Sequence, residues 1–191
     1  MEVCVKKLLM LFAVMTACAA CEKDDGGITM EADRLEGTYW KQTRMECSEY
    51  RDGRWKKTLG YGFDGSLDGG GGPTVLFFAS GTTLIEYGRL AMTGPDRPTA
   101  YRKTRTFDYR PGEKLFLTYG PNGESDDRMD LETFTPGMIV WESVAEYTEP
   151  GGSSYQVLTR ETFRRFEPDE AWKQSAAQYP DYDEVDWSAL R

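Results

Sequence analysis

Between residues 35 and 166 apolar and polar positions alternate with a period of two, in short runs rich in β-branched and aromatic residues. Glycine and proline dipeptides punctuate the runs, as they do between strands. The clearest unit is 74–79 and 82–87 around Ser80-Gly81, which predicts a tight hairpin on a two-residue turn. Residues 101–109 place Tyr101, Phe107 and Tyr109 on one face and Arg102, Thr104, Thr106 and Asp108 on the other. Arg110-Pro111-Gly112-Glu113 has the order of a type II turn. In 115–119, Leu115, Leu117 and Tyr119 share a side, and Pro121-Asn122-Gly123 reverses the chain again. Residues 128–134 predict Met129, Leu131 and Thr133 inward with charge outward. After Pro136-Gly137, the apolar run 138–143 around Trp141 reads as a well-buried strand, and Pro150-Gly151-Gly152 turns into 155–166. With 37–47 and a short segment near Trp55, this makes eight or nine sequential antiparallel strands. A sandwich or barrel is expected, and a parallel α/β fold is excluded because no helical connections separate the strands.

Two stretches depart from the pattern. Residues 61–73 contain Gly69-Gly70-Gly71-Gly72 and predict a long mobile loop. They do not make a phosphate cradle, because no Gly-Lys-Ser/Thr follows and Asp64 and Asp68 precede the glycines. They also lack the alternating oxygen ligands and terminal glutamate of a calcium loop. In the tail, residues 167–191, the order Pro168-Asp169-Glu170-Ala171-Trp172 predicts a short helix over 169–178. The remainder, acidic with Tyr182 and Trp187, either packs back on the domain or stays loose.

The first twenty residues read as an address. Lys6 and Lys7 precede an apolar run over 8–20, thirteen residues and too short to span a bilayer. The run ends in Met15-Thr16-Ala17-Cys18 and Ala19-Ala20-Cys21, which resembles the lipobox of bacterial lipoproteins. Cys18 has the better residue three places upstream. Cys21 has the better sequel, Glu22-Lys23-Asp24-Asp25, which resembles the acidic export signal of Bacteroidetes-type surface lipoproteins. Cys21 is therefore the expected lipid-attachment residue, with 1–20 a signal peptide and 21–34 an acidic tether. The resemblance implies an outer-membrane, surface-exposed protein held by a lipid anchor, which three acyl chains make stable.

Composition acts mainly by exclusion. The chain has no histidine, which removes every Ser-His-Asp or Cys-His system and every His-ligated metal site. The formal charge is −9, and loss of Glu2, Lys6 and Lys7 with the signal makes it −10. Such a balance argues against nucleic acid as a partner. Of the four cysteines only Cys47 remains unassigned after processing, so no internal disulfide is expected, and Cys47 reads as a semi-buried strand residue. A carboxylate-pair hydrolase needs no histidine. The one acid in an apolar stretch is Glu142, beside Trp141, and it reads as an outward-facing strand residue. No catalytic residue, metal ligand or cofactor is expected.

Leu35-Glu36-Gly37-Thr38-Tyr39-Trp40 resembles the Leu-x-Gly-x-Trp opening of lipocalin-like domains. Phe78-Ala79-Ser80-Gly81-Thr82 resembles the Phe-x-x-Gly-Thr hairpin of the Bacteroidetes lipoprotein branch of that group, and Tyr155-Gln156-Val157-Leu158-Thr159-Arg160 resembles its final strand. The resemblance covers 35–166 and implies an all-β, antiparallel, up-and-down lipocalin-like barrel of about eight strands that can hold one small apolar ligand. Tyr39 stands where the group has tryptophan, with Trp40 one residue later, which leaves open which ring plugs the barrel floor. The implied function is non-catalytic binding of a small hydrophobic or amphipathic molecule. The alternative is a surface accessory protein with a filled barrel, contacting a glycan or a protein from outside. Large side chains meeting across the axis favour the alternative, and an open cavity favours the first.

Overall fold

The computed structural model describes residues 27–51, 53–62, 73–89, 100–149 and 153–185. The signal peptide, Cys18, Cys21, the Gly69–Gly72 stretch, the Pro150-Gly151-Gly152 turn and Trp187 lie outside the described residues. Among the described residues nine strands follow in order: β1 (Thr38–Arg51), β2 (Arg54–Gly62), β3 (Val75–Phe78), β4 (Thr83–Arg89), β5 (Ala100–Arg110), β6 (Leu115–Tyr119), β7 (Ser125–Phe134), β8 (Met138–Thr148) and β9 (Ser154–Phe166). Every pairing between them is antiparallel. β1 pairs with β9 from Tyr39↔Phe166 to Tyr50↔Gln156, which closes the sheet on itself.

On its other edge β1 meets two strands in succession, β2 along 44–51 and β3 along 38–41. β2 and β3 thus fill one barrel position, and the nine strands form a closed, eight-position, up-and-down barrel. This is the predicted fold class. From β3 to β9 every strand has a partner on each side, whereas β2 pairs only with β1 among the described residues. The outer face carries Arg102, Thr104, Thr106 and Asp108 on β5 and Arg128, Asp130 and Glu132 on β7. A lipid-facing strand would carry an apolar band there instead.

The floor is at the start of β1. Trp40 is fully buried there, edge-to-face with Phe134 at 5.7 Å, and its indole N–H donates to Thr38 Oγ1 at 2.8 Å. This settles the ring left open by the Leu-x-Gly-x-Trp resemblance. Tyr39 points outward and stacks on Phe77 at 4.2 Å. The predicted tether packs in its second half: Ile28 bridges to Phe134, Met30 and Leu35 are buried in the core, and Tyr109 donates to the Met30 carbonyl at 2.7 Å. Apolar Ile28, Met30 and Leu35 outweigh the acidic residues around them, so the ordered fold starts before residue 35.

Three local expectations change. The hairpin joining β3 and β4 is longer than two residues, because Ala79 N–H bonds to Thr83 O at 2.9 Å and Gly81 has no left-handed φ. Pro111–Glu113 forms a 3-10 turn rather than a type II turn, and Lys114, at φ 53°, takes the left-handed position instead of Gly112. In β7 a register shift between Leu131 and Thr133 places Phe134 opposite Ile139 in the apolar core, next to Thr133, which is buried as well.

The tail packs back on the domain. Its helix α1 (Glu170–Ala176) is capped by Asp169, whose carboxylate accepts from Trp172 N at 2.7 Å. Trp172 lies edge-on to Tyr39, Tyr87 and Phe166 on the outside of the wall. β6 pairs only with 106–110 of β5, and above that Arg102 N–H bonds to Pro180 O at 2.9 Å. Tyr182 then reaches Tyr101, with ring centroids 5.1 Å apart.

Candidate functional site

The lower half of the barrel is filled. Phe78, Phe107 and Phe116 pack at 5.2 to 6.0 Å, and Phe116 reaches Trp141 at 5.5 Å, which lies 5.0 Å from Phe163. Rings from β3, β5, β6, β8 and β9 therefore meet across the axis, as the filled-barrel reading expects for the whole interior. Above them the lining changes character. A cavity of about 160 Å³ opens between Leu76, Leu84, Met129, Trp141 and Phe163 on its apolar walls and Glu86, Arg105, Thr118, Asp127 and Glu161 on its polar ones.

The polar groups come from strand alternation. On β5 the residues between Tyr101 and Phe107 on the inward face are Lys103 and Arg105. On β9 the inward residue before Phe163 is Glu161, which stands directly opposite Trp141 of β8. Trp141 Nε1–H donates to Glu161 Oε2 at 2.8 Å, and Gln42 Nε2 donates to Oε1 at 2.6 Å. Gln42 is held in turn by Thr74 N–H, which donates to its Oε1 at 3.2 Å. Burial pushes the Glu161 carboxyl above the usual carboxylate range, against the pull of its two donors.

Arg105 is the second centre. Its Nη1 donates to Thr118 Oγ1 at 3.2 Å and to Asp127, with Asp126 at 3.2 Å and Glu86 3.6 Å from Nη2. Tyr101 donates to the other Glu86 oxygen at 3.0 Å. Burial opposes the guanidinium charge, but Glu86 and the aspartates outweigh it, so its pKa rises. The Tyr101 hydroxyl is raised by burial and by Glu86, and Tyr109 on the floor is pushed up to about 12 by burial. One donor is left over: Arg105 Nε is buried and has no hydrogen-bond partner among the described residues.

The residues singled out in the sequence fall elsewhere. Glu142 is on the outer face, 3.7 Å from Arg160, as its outward reading expected. Cys47 is half-buried on β1, with its sulfur 3.9 Å from Thr159 Oγ1. Cys21 lies outside the described residues. Among the described residues, no three Cys, Asp or Glu side chains are grouped to hold a metal ion.

No family model and no curated protein matches the chain. Solved structures give likenesses of low identity. One is bovine odorant binding protein in complex with a selenium-containing odorant, at 10% identity and TM-score 0.37, over 82% of this chain and 88% of that one. Another is Ail, the attachment invasion locus protein of Yersinia pestis, at 10% identity and TM-score 0.34, over 69% of this chain and 100% of that one. A third is Odorant Binding Protein OBP1, at 11% identity and TM-score 0.34, over 78% and 83%. The chemistry of the cavity therefore has to come from its own side chains.

Sequence reasoning passed over Glu161, Gln42 and Arg105, and the signal was available. Counting by twos back from Phe107 reaches Arg105, and back from Phe163 reaches Glu161. Gln42 gave less warning, because only the β1–β9 pairing opposite Phe163 brings it beside Glu161.

Proposed function

We propose that the protein is a lipid-anchored barrel on the outer face of the outer membrane, and that its upper compartment binds one small amphipathic molecule without transforming it. The observation that carries the binding reading is the 160 Å³ cavity, half apolar and half polar, set above a solid floor. A cavity of this size is smaller than the roughly 300–1,000 Å³ that drug-sized ligands occupy. A fatty acid or porphyrin is therefore too large for it. Binding rather than catalysis is favoured because each lining carboxylate is already engaged: Glu86 by Tyr101 and Arg105, Asp127 by Arg105, Glu161 by Trp141 and Gln42.

The anchor rests on Cys21 and the Glu22-Lys23-Asp24-Asp25 that follows it. Ile28, seven residues on, is fastened to the floor, so a fully extended chain holds the floor within about 25 Å of an acylated Cys21. A short tether at the floor end supports a cavity end directed away from the membrane. The decisive experiment is native mass spectrometry of the protein purified gently from its own host. A co-purified small mass is expected, and its absence at every collision energy refutes the binding reading. Cys21→Ser should abolish acyl labelling, and continued labelling would move the anchor to Cys18.

A second reading, contact with a glycan, has one observation in its favour. Near the β1–β2 turn Trp55 is 48% exposed and packs against half-exposed Tyr50 at 5.1 Å, beside Arg51, Arg54 and Lys56. Retention of the protein on a glycan array, lost in Trp55→Ala, would support it.

A further inference from the structure

Two strands keep a free edge above the floor. Among the described residues β2 pairs only with β1, and the ladder between β7 and β8 stops at Glu142. Residues 143–148 of β8 therefore pair on one side alone, with β9. Unpaired edges of this kind are templates for another strand. The exposed large apolar side chains of the described residues gather there: Trp55 and Leu59 on β2, Tyr50 opposite Trp55 on β1, and Val144 and Tyr147 on β8. An exposed apolar cluster along unpaired edges marks a contact surface.

Charge decides which edge meets which. Over 54–62 the sequence has Arg54, Lys56 and Lys57 and no acid, whereas 138–149 have Glu142, Glu146 and Glu149 and no cation. Arg54, Lys56 and Glu146 have no ion pair among the described residues. Two β2 edges would set like cations in one ribbon, and two β8 edges would set like acids together, both unfavourable. β2 against β8 joins opposite charges. Direction agrees. β1 rises from the floor, so β2 descends, and β9 descends beside β1, so β8 ascends. Copies standing side by side with their floors the same way therefore bring β2 and β8 together antiparallel, the more stable ladder.

We propose that copies of this chain associate head to tail, the free edge of β2 in one pairing with 143–148 of β8 in the next. The partner is a second copy of this chain, and the surface is independent of the cavity. A contact between two different patches leaves β2 free at one end and β8 free at the other. Association therefore continues past two copies, as a row or a ring.

The test is sedimentation velocity of the purified protein over a range of concentrations, in which the mass should rise past two copies. Arg54→Glu with Lys56→Glu makes the β2 edge acidic, and Glu146→Lys with Glu149→Lys makes the β8 edge basic. Each doubly substituted protein alone should associate at least about tenfold more weakly than wild type. Mixed in equal amounts, the two should recover to within about threefold of wild type, because every contact between them again joins opposite charges.

A monomer at every concentration overturns the proposal, and so does a dimer that grows no further. Association of the reversed proteins equal to that of wild type, or no recovery on mixing, overturns the assignment to these two edges. Retention on a glycan array by a chain that stays a monomer gives Trp55 to the glycan reading and overturns this one. If a reversed protein loses its native circular dichroism, Trp55→Ala takes its place, with the same tenfold loss expected and wild-type association overturning the proposal.

Discussion

Gly88 on β4 stands opposite Tyr101 on β5, and the tyrosine ring lies directly over the space a glycine side chain leaves empty. A Cβ at Gly88 would collide with Tyr101 Cζ and Oη. The contact lets Tyr101 reach Glu86 at 3.0 Å and meet Tyr182 of the tail. Gly88→Ala should therefore displace the ring and cost about 1–3 kcal/mol, as overpacking does. At about 2–4 °C per kcal/mol for a chain of this size, the melting temperature falls by several degrees. An unchanged melting curve would mean that Tyr101 does not occupy this place.

Glu161 gives the fold a particular pH dependence. Burial holds its carboxyl above the ordinary carboxylate range, so the folded chain keeps that proton more tightly than the unfolded chain. Its contribution is favourable when protonated and is lost as pH rises from the ordinary carboxylate range through the raised folded value. Glu161→Gln has no such proton to lose. The difference in melting temperature, variant minus wild type, should grow in the variant's favour between pH 5 and pH 8. A difference independent of pH would contradict the buried placement of this carboxyl.

The two rings at the start of β1 should differ sharply. Trp40 is fully buried at the floor, so Trp40→Ala should cost about 3–5 kcal/mol. Tyr39 is outside, and Tyr39→Ala removes a stacked pair with Phe77 and an edge contact with Trp172, with a ring-pairing term of about 0.5–1.5 kcal/mol each. Urea denaturation of the two variants checks the ranking, and the reverse order would exchange the faces of the strand.

Asp169 caps α1 through Trp172 N–H. Asp169→Ala should cost about 0.5–2 kcal/mol, felt locally. Hydrogen exchange should quicken over 170–176 and leave the amides of β5 to β8 as they were. Equal acceleration throughout would mean that the helix and the barrel open as one unit.

The strand pattern was readable because a half-buried strand needs an apolar residue at every second position, and that requirement involves only neighbours along the chain. Met129 and Leu131 were placed inward on this basis, and so was the helix at 169–178 from its capping order. Positions failed where a register shift intervenes, as at Phe134, because a bulge trades faces without leaving a mark in composition. The tether boundary failed for a similar reason. Residues 27–34 look too polar to pack, and only the closed floor brings them their partners: the Phe134 carbonyl accepts from Thr29 N–H and Met30 N–H, and Phe134 N–H donates to the Gly27 carbonyl, each at 2.8 Å.

Reading along the chain suffices for an antiparallel all-β domain without histidine chemistry, since alternation, turn residues and residue types are all local properties. Barrel closure and the site are not local. Glu161 is 119 residues from Gln42 and 20 from Trp141 in sequence, and it meets both only because β1 and β8 flank β9. Arg105 is one more charged strand residue until closure turns its face inward and surrounds its guanidinium with Glu86, Asp126 and Asp127. Sequence alternation says which residues share a face. Which face becomes the inside, and how much room is left there once Phe78, Phe107, Phe116 and Trp141 have met, depends on side chains from distant strands competing for one volume.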